Sequence, residues 1–586
     1  MFKLFKKLNY KQYIAMCLSL ILIVGQVWLD LKLPDYMNSI TTLIQTNGAI
    51  SEIWKNGGYM LACALGSLLL SFVVGFFTAK IAAGLSMRLR SDVYNSVSNF
   101  SKGEINKFTT SSLITRTTND ITQVQMFFAM GLQMLIKAPV LAVWAIIKIA
   151  GKSWQWSLTT ATAVCVLLVM ITILIIFCLP KFKIVQKQTD EINRLSRENL
   201  TGLRIVKAFN AEAYQEEKFE KANNNLTKTQ LTTSTLMSML SPTMTAIMSG
   251  LSLAIYWVGA SIIKNANMLD RIGLYSDMMV FMSYSVQIIS AFIMLAFIFV
   301  LMPRAIISAR RINEILDTKS SITDGKGATP TEVGTIKFDN VDFKYPNGQE
   351  DVLSNINLDI KKGEFVAFIG ATGCGKSTLV DLVPRFFDAT SGTVYVDGVD
   401  VKDYKLNDLH NRIGYVSQKA VLFTGTVLGN VTLGTVDGKK VSNEDAAEAI
   451  NRAQASEFVD KMSEKEQSYI ATSGKNISGG QKQRLSIARA IARKPEFLIF
   501  DDSFSALDYA TDKKLRATLK KDFKGTTILL VAQRIGTIKD ADKIVVLEDG
   551  KIVGVGKHKD LLDNCKTYKD IALSQLSKEE IDGTEK

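Results

Sequence analysis

A glycine-rich loop near the middle of the chain has the residue types and spacing that hold a phosphate chain. The apolar segment FVAFIG runs into GATGCGKS at 370–377, which fits the P-loop pattern G-x-x-x-x-G-K-[ST] between a strand and a helix. Its glycines let backbone amides surround phosphate oxygens, Lys376 supplies a positive charge, and Ser377 can ligate magnesium. The candidate binding residues are Gly370, Ala371, Thr372, Gly373, Cys374, Gly375, Lys376, Ser377 and Thr378.

Two adjacent carboxylates follow a second apolar strand. FLIF at 497–500 leads directly into Asp501 and Asp502. Carboxylates at the carboxyl end of a parallel strand lie where such sheets bind ligands. Asp501 therefore fits the magnesium-binding acid that accompanies a P-loop.

A third motif lies between these two elements. The segment ISGGQKQRLSIARAI at 477–491 is a turn of small residues that opens a basic amphipathic helix. Free backbone amides and the hydroxyl of Ser478 form an anion site at such a helix N-terminus. We expect this site to comprise Ser478, Gly479, Gly480 and Gln481.

Together these elements resemble the ATP-binding-cassette (ABC) transporters, specifically exporter half-transporters that fuse one membrane domain to one nucleotide-binding domain. The resemblance covers nearly the whole chain and implies ATP and Mg²⁺ as cofactors. Tyr345 in FKYP matches the aromatic residue that stacks on adenine. Gln418 in YVSQ matches the loop residue that contacts magnesium, alongside Ser377 and Asp501, and faces the membrane domain. The loop that would cross the dimer interface is Ser505, Ala506, Leu507 and Asp508.

The resemblance also implies how two chains cooperate. In this family two nucleotide-binding domains close head to tail. Each ATP then lies between the P-loop of one chain and the signature SGGQ of the other.

The chain departs from the family pattern at two catalytic positions. Members that hydrolyse ATP well carry Glu directly after the magnesium Asp, whereas this chain has Asp502, whose carboxylate is retracted by about 1.5 Å. A general base must reach the attacking water, and such catalysis contributes about 10²–10⁴-fold to a rate. The family's switch His is replaced by Gln533 in LLVAQRIGT, and Gln neither titrates near neutral pH nor carries a positive charge. By their positions, His410 and His558 cannot substitute for it.

These departures predict a site that binds ATP but hydrolyses it slowly. Two copies of this chain would place Asp502 and Gln533 in both composite sites. Slow ATP hydrolysis at both sites would then limit the transport that the dimer can drive. A different partner that supplies Glu and His is the expected solution, with Ser478–Gln481 completing the partner's competent site. The chain thus resembles the degenerate subunit of heterodimeric bacterial multidrug-type exporters, as do its segments TSSLITRTTND and QTDEINRLSRENLTGLRIVKAF. A slow homodimer is the alternative.

The elements that must position these motifs follow from composition. The chain has 586 residues, of which 47% are hydrophobic and 21% charged, which suits a membrane half joined to a soluble half. Apolar stretches of spanning length run over Tyr13–Leu33, Tyr59–Leu85, Met126–Ala150, Leu158–Leu179, Met237–Ile263 and Met279–Leu301.

We therefore expect an α-helical six-span membrane domain plus an α/β P-loop nucleotide-binding domain. The resemblance implies the architecture of type I, also called type IV, ABC exporters. The expected domains are a membrane domain with long cytoplasmic extensions at 1–315, a linker at 316–333, a nucleotide-binding domain at 334–575 and a polar tail at 576–586.

Much of the net charge of +13 is explained by membrane topology, so it does not indicate nucleic-acid binding. Basic residues crowd the N-terminus, the second-to-third and fourth-to-fifth connections, and the segment after the sixth span. The positive-inside rule then makes the N-terminus and the nucleotide-binding domain cytoplasmic, in a multi-pass protein of the cell membrane. Polar turns near Thr109–Arg116 and Phe209–Glu216 are candidates for touching the soluble domain.

The substrate is the least constrained part of this prediction. Lys137 in the third span should face a cavity or a partner, which fits either a helix–helix contact or a substrate pathway. Methionine and aromatic residues in the fifth and sixth spans either repack around apolar ligands or simply pack and face lipid. We expect export of drugs or other amphipathic compounds. The alternatives are a dedicated lipid, peptide or haem-type exporter, and a non-transporting nucleotide-gated regulatory subunit.

Overall fold

The computed structural model of the protein describes residues 2–267, 270–346 and 348–576. The chain forms two compact units. One comprises Met1–Ser96 and Ser111–Thr318, and the other comprises Val97–Thr110 and Lys319–Lys586. The predicted polar tail lies outside the described residues from position 577 onward.

The first unit consists of helices that the apolar stretches build. Each apolar run continues into a polar helical segment, so the helices exceed the roughly 20 residues that a bilayer requires. Among the described residues, six helical stretches are long and apolar enough to cross a membrane, as predicted: Tyr10–Gln45, Ile50–Ser98, Thr110–Ile149, Trp154–Thr201, Glu212–Asn265 and Arg271–Asp317. The short helix Phe2–Phe5 precedes them. Breaks within or between them delimit the helices Thr110–Thr117, Asn119–Met126, Leu132–Ile149, Leu203–Ala208, Glu212–Ser238 and Leu240–Asn265, and the π-helical turn Phe127–Gly131.

Ion pairs join the first and third spans. The Lys137 ammonium lies 3.3 Å from the carboxylate of Asp30, and the Lys148 ammonium lies 2.7 Å from that of Asp35. A charge within a membrane is costly unless it is paired. Lys137 thus has the partner that was expected for it, on the first span.

The second unit is an α/β fold around a six-stranded sheet. Its strands, in spatial order, are Lys551–Gly556, Lys543–Glu548, Phe365–Gly370, Thr527–Val531, Phe497–Asp501 and Ile413–Val416. Neighbours run parallel except the first pair, which is antiparallel. The P-loop strand and the strand that ends in Asp501 are thus separated by one strand, and their carboxyl ends reach the same edge.

Smaller sheets and helices complete this unit. A four-stranded antiparallel sheet contains Leu353–Ile360, Ile336–Phe343, Ser391–Val396 and Val399–Asp400. Short strand pairs are Gly425–Thr426 with Tyr469–Ile470, and Thr435–Val436 with Lys439–Lys440. The α-helices are Lys376–Leu382, Leu406–Arg412, Val427–Val431, Asn443–Arg452, Ser456–Val459, Gly479–Ala492, Tyr509–Asp522, Ile535–Ile538, His558–Asn564 and Lys566–Gln575, and short 3₁₀ turns cover Lys465–Gln467 and Thr472–Gly474.

Alternation along the strands explains why the central sheet is covered on both faces. Leu498 and Phe500 belong to one buried apolar cluster, whereas Phe497 and Ile499 belong to another. Successive side chains of a strand point to opposite faces. The run FLIF therefore anchors the end of its strand, and with it Asp501 and Asp502, from both sides.

One segment of the membrane half belongs to the soluble unit. Val97–Thr110 packs with it and contains the short helix Lys102–Phe108. Ser101 begins that helix with a capping box, in which its hydroxyl accepts from the backbone of Gly103 and its backbone donates to Glu104. The boundary predicted at residue 315 would instead place Val97–Thr110 in the membrane domain.

The two turns expected to touch the soluble domain are divided between the units. Thr109 and Thr110 belong to the soluble unit, and the rest of Thr109–Arg116 belongs to the helical unit, in the helix Thr110–Thr117. The turn at Phe209–Glu216 also lies in the helical unit, where Phe209 is 79% exposed.

Candidate functional site

The P-loop connects a buried strand to a helix. Phe365–Gly370 enters it and Lys376–Leu382 leaves it. Gly375 has φ +96°, and a Cβ there would lie 2.9 Å from the carbonyl oxygen of Val352. A residue with a side chain would therefore be strained and obstructed at this position.

The Lys376 side chain folds over this loop. Its ammonium donates to the carbonyl oxygens of Gly370 at 2.9 Å and Ala371 at 2.7 Å, and the residue is 8% exposed. A buried ammonium retains its hydrogen bonds in this way. The positive charge is thereby placed over the loop, where phosphate oxygens would bind.

Ser377 and Asp501 meet where the P-loop helix begins. The Ser377 hydroxyl donates to Asp501 at 2.5 Å. Burial raises the pKa of Asp501, and the charges of Asp381 and Asp502 act in the same direction, against the hydrogen bond from Ser377. A hydroxyl and a carboxylate are hard oxygen ligands of the kind that Mg²⁺ takes. The residues present therefore fit the predicted magnesium ion.

Asp502 has a different environment from its neighbour. It is 6% exposed and has φ +45°, a left-handed conformation that Asp adopts more readily than most residues. One carboxylate oxygen, Oδ2, accepts from Nε2 of Gln533 at 2.7 Å and from Nε2 of Gln418 at 3.1 Å. The two glutamines thus hold this carboxylate as a hydrogen-bond acceptor, and a cleft of about 250 Å³ lies beside Asp502 and Gln533.

Gln418 was predicted to contact magnesium together with Ser377 and Asp501. The structure brings the latter two into contact and places the Gln418 amide on Asp502 instead. The amide oxygen of Gln418 is not used in that bond and can still accept or ligate.

Tyr345 lies beside the P-loop helix. Its hydroxyl shares a hydrogen bond of 2.9 Å with the hydroxyl of Thr378. Its ring contacts Phe343 and Phe387 edge to face, at centroid distances of 4.9 and 5.3 Å. These contacts fix the ring that we expect to stack on adenine.

The signature forms the N-terminus of the helix Gly479–Ala492. The Ser478 hydroxyl accepts from the backbone of Gln481 at 3.3 Å, and the Gln481 side chain accepts from the backbone of Ser478 at 2.9 Å. Ser478 and Gly479 are exposed. Within the described part of the chain, the hydrogen bonds of Ser478 and Gln481 do not reach the P-loop, so these groups are available to another molecule.

The predicted interface loop touches the signature. A Cβ on Gly480 would lie 3.2 Å from the carbonyl oxygen of Ala506. The Ser505 hydroxyl donates to the backbone oxygen of Asp502 at 2.9 Å. Asp508 caps the following helix by accepting from the backbone of Thr511 at 3.0 Å. The loop Ser505–Asp508 therefore links Asp502 to the start of the signature helix.

Neither histidine contributes to this site. Nε2 of His410 lies 2.8 Å from the carbonyl oxygen of Pro384, and Nδ1 of His558 lies 2.6 Å from the hydroxyl of Tyr568. Burial lowers the pKa of both rings. Both are partnered elsewhere, which agrees with the expectation that neither replaces the missing switch residue.

Three residues near the site were not singled out in the sequence. Asp381 accepts from the ammonium of Lys102 at 2.8 Å and from the hydroxyl of Tyr415 at 2.9 Å. A sequence signal existed for Asp381, because it lies four residues after Ser377 and thus on the same helix face. None existed for Lys102, which is distant in sequence.

Family models match both halves of the chain. A model described as the ABC transporter matches residues 353–505, and one described as the ABC transporter transmembrane region matches residues 16–292. The chain is 34% identical over 569 residues to an ABC transporter ATP-binding protein of Mycobacterium tuberculosis, covering 97% of this chain and 96% of that protein.

More distant relatives are described by activity or by fold. The chain is 29% identical to an ATP-dependent lipid A-core flippase of Pseudomonas fluorescens, over 84% of this chain and 80% of the flippase. Its structure is similar to that of a bacterial Atm1-family ABC exporter with ATP bound, with a TM-score of 0.76, 21% identity and coverage of 97% and 98%. This last likeness concerns the fold alone.

Proposed function

Because the chain belongs to the ABC transporter family, as an exporter half-transporter with one membrane domain and one nucleotide-binding domain, we propose that it is the slowly hydrolysing subunit of a heterodimeric exporter. Its own P-loop site binds ATP and magnesium in this proposal. Its signature Ser478–Gln481 completes the competent site of a second, non-identical half-transporter. The exported compounds are drugs or other amphipathic molecules.

The environment of Asp502 carries this proposal. A general base must accept a proton from the attacking water. The Asp502 oxygen Oδ2 already accepts two amide hydrogen bonds, from Gln418 and Gln533. Gln533 can neither take up a proton near neutral pH nor stabilise a phosphate with positive charge. The shortened acid and the replaced switch residue thus lie in contact with each other, which supports slow hydrolysis at this site.

Binding of ATP does not depend on those two residues. The P-loop amides and Lys376 surround and neutralise phosphates, and Tyr345 orients the base. Ser377 and Asp501 would hold magnesium, with Gln418 as the predicted third ligand, and the bound ion would neutralise phosphate charge. The site is thus equipped to retain a nucleotide that holds the two domains together.

The exposed signature supports the pairing with a partner. Ser478 presents its hydroxyl and nearby amides at a helix N-terminus, which attracts anionic phosphate. ATP that binds between two chains would stabilise their closed arrangement, and the membrane half would respond by opening outward. We place the N-terminus and the nucleotide-binding domain in the cytoplasm and the spans in the cell membrane, because basic residues crowd the connections on that side.

A lipid is the second candidate substrate. Relatives 28–30% identical to this chain are described as lipid A-core flippases, and a lipid shares the amphipathic character expected of the substrate. A peptide or haem-type substrate and a non-transporting regulatory subunit are alternatives without a specific supporting observation.

Co-purification from native membranes followed by mass spectrometry tests the pairing. We expect a second half-transporter that carries Glu and His at the positions equivalent to Asp502 and Gln533. Recovery of this polypeptide alone would contradict the heterodimer. Hydrolysis by the purified complex should rise when an exported amphipathic compound is added, whereas a regulatory subunit would give no such stimulation.

A further inference from the structure

Gln575 is a residue of the C-terminal helix that contacts the loop at Gln533. It is the last residue of the helix Lys566–Gln575 and lies 42 residues after Gln533. Its Nε2 donates to the carbonyl oxygen of Gln533 at 2.8 Å, and its Oε1 accepts from the backbone amide of Ile535 at 2.8 Å. One side-chain amide therefore bridges the backbone on both sides of Arg534.

The helix that follows this loop has no cap of its own. It comprises only Ile535–Ile538, and Arg534 at its N-cap makes no side-chain cap bond. The first amides of a helix need acceptors from outside it, and a single turn of helix is unstable by itself. Gln575 supplies such an acceptor, so the position of the loop depends on a residue of another helix.

The C-terminal helix is anchored in the core of the soluble unit. Its residues Tyr568 and Ala572 are fully buried, in the same apolar cluster as Ile535 and Ile538. Gln575 follows Tyr568 by seven residues and therefore continues the same helix face. The buried part of this face fixes the end of the helix, and with it the place from which Gln575 holds the loop.

The loop in turn presents the Gln533 side chain to Asp502. Nε2 of Gln533 donates to Oδ2 of Asp502 at 2.7 Å, and the Asp502 amide donates to the carbonyl oxygen of Val531 at 3.1 Å. A chain of hydrogen bonds thus runs from Gln575 through Gln533 to Asp502. Because the carbonyl and the side chain of Gln533 belong to one residue, fixing the first restricts the second.

We propose that Gln575 is a positioning residue for ATP hydrolysis, because it fixes the loop backbone and so places the side chain at position 533 against the acid at position 502. This inference rests on the proposed function, since it concerns hydrolysis at the same site. A general base and its partner must stay aligned with the attacking water. A loosened loop should therefore lower turnover, whereas ATP binding, which depends on the P-loop, should persist.

Hydrogen–deuterium exchange resolved to single amides tests the contact on the full chain purified with its partner. Gln575→Leu removes both hydrogen bonds and keeps a side chain of similar size. We expect the Ile535 amide to exchange about tenfold faster, because it loses its acceptor. Ser574→Ala is the matched control, since the Ser574 hydroxyl donates within its own helix to the carbonyl oxygen of Ile571 at 2.7 Å, and it should have no effect.

A double-mutant cycle tests whether Gln575 acts through Gln533. Gln575→Leu should make the Asp502 amide exchange about threefold faster, because the Gln533 side chain then holds its acceptor less well. In a chain that already carries Gln533→Ala, Gln575→Leu should still accelerate exchange at Ile535, since the backbone contact remains. It should have no further effect at Asp502.

Turnover is measured in a chain with Asp502→Glu and Gln533→His, in a complex whose partner site is inactivated. In this background Gln575→Leu should lower kcat about tenfold, which is part of what acid–base catalysis contributes. ATP binding is measured by photolabelling with 8-azido-ATP and magnesium, and the labelled chain is separated on a gel. Labelling should be unchanged, which would place the loss in turnover and not in folding of the site.

Several results would overturn the inference. They are unchanged exchange at Ile535 in Gln575→Leu, an effect on Asp502 that persists in full after Gln533→Ala, and losses of labelling as large as the losses of turnover. The second and third would show that Gln575 acts only on overall stability. If Asp502→Glu with Gln533→His yields no hydrolysis, the proposed cause of slow hydrolysis fails. The exchange cycle then decides by itself whether Gln575 positions residue 533.

Discussion

Asp501 and Asp502 are adjacent carboxylates at the end of one buried strand, and the structure surrounds them differently. Asp501 meets the hydroxyl of Ser377 beside the P-loop, in a position to ligate a cation. Asp502 turns into a left-handed conformation and accepts hydrogen bonds from two glutamine amides. Neighbouring carboxyl groups can take separate roles when their environments differ. In the proposed function, Asp501 binds the cation and Asp502 contributes little to proton transfer.

The largest expected effect comes from removing the binding carboxylate. Asp501→Asn should weaken magnesium-dependent photolabelling of this chain by about 100-fold, because a neutral amide is a poorer magnesium ligand. Asp502→Asn is the matched control and should change the labelling little. Equal losses in the two variants would show that the two carboxylates do not divide binding from hydrolysis.

The second largest effect should come from restoring the Glu and the His that hydrolysing family members carry at the positions of Asp502 and Gln533. Asp502→Glu alone should alter hydrolysis at this site only modestly, since Gln418 and Gln533 remain as donors. Combined with Gln533→His, it should raise hydrolysis by about 10²-fold, at the lower end of what acid–base catalysis contributes. The measurement uses a complex whose partner site is inactivated, so that only this site turns over. A large gain from Asp502→Glu alone would mean that chain length, and not the two amides, limits the site.

The smallest expected effect is on the local stability of the strand end at Asp502. Gln533→Ala removes one donor from a buried carboxylate, and hydrogen bonds to charged groups contribute about 1.5–3 kcal/mol. The strand end should open more readily, so hydrogen–deuterium exchange of the Asp502 amide, which donates to Val531 at 3.1 Å, should be about tenfold faster or more. Gln467→Ala, at an exposed glutamine, should leave it unchanged. Unaltered exchange in Gln533→Ala would show that this amide does not hold Asp502.

Features encoded by contiguous residues were predictable from the sequence. The apolar runs gave the six spans, and the order of strand, glycine loop and helix placed Lys376 and Ser377. The strand FLIF placed Asp501 at the sheet edge, because hydrophobic runs and turn residues act locally. The sequence analysis did not assign Val97–Thr110 to the soluble unit, although Ser101 and Glu104 have the spacing of a capping box.

Contacts between distant segments could not be predicted in this way. Lys102 and Asp381 are far apart in sequence, and only the tertiary fold brings them within 2.8 Å. Gln533 was expected at the nucleotide site from its motif, but nothing in the sequence indicated that it shares one oxygen of Asp502 with Gln418. Such contacts depend on the register of several strands and on the direction in which the side chains at their ends point.

The most direct test of the division between the two sites is ATP turnover by the purified transporter after Asp502→Ala. The same change is made in parallel at the equivalent acid of the partner. If this chain's site binds ATP without contributing much hydrolysis, Asp502→Ala should leave turnover close to that of the unaltered complex, and the partner substitution should abolish it. Loss of turnover to the same extent in both variants would contradict the account.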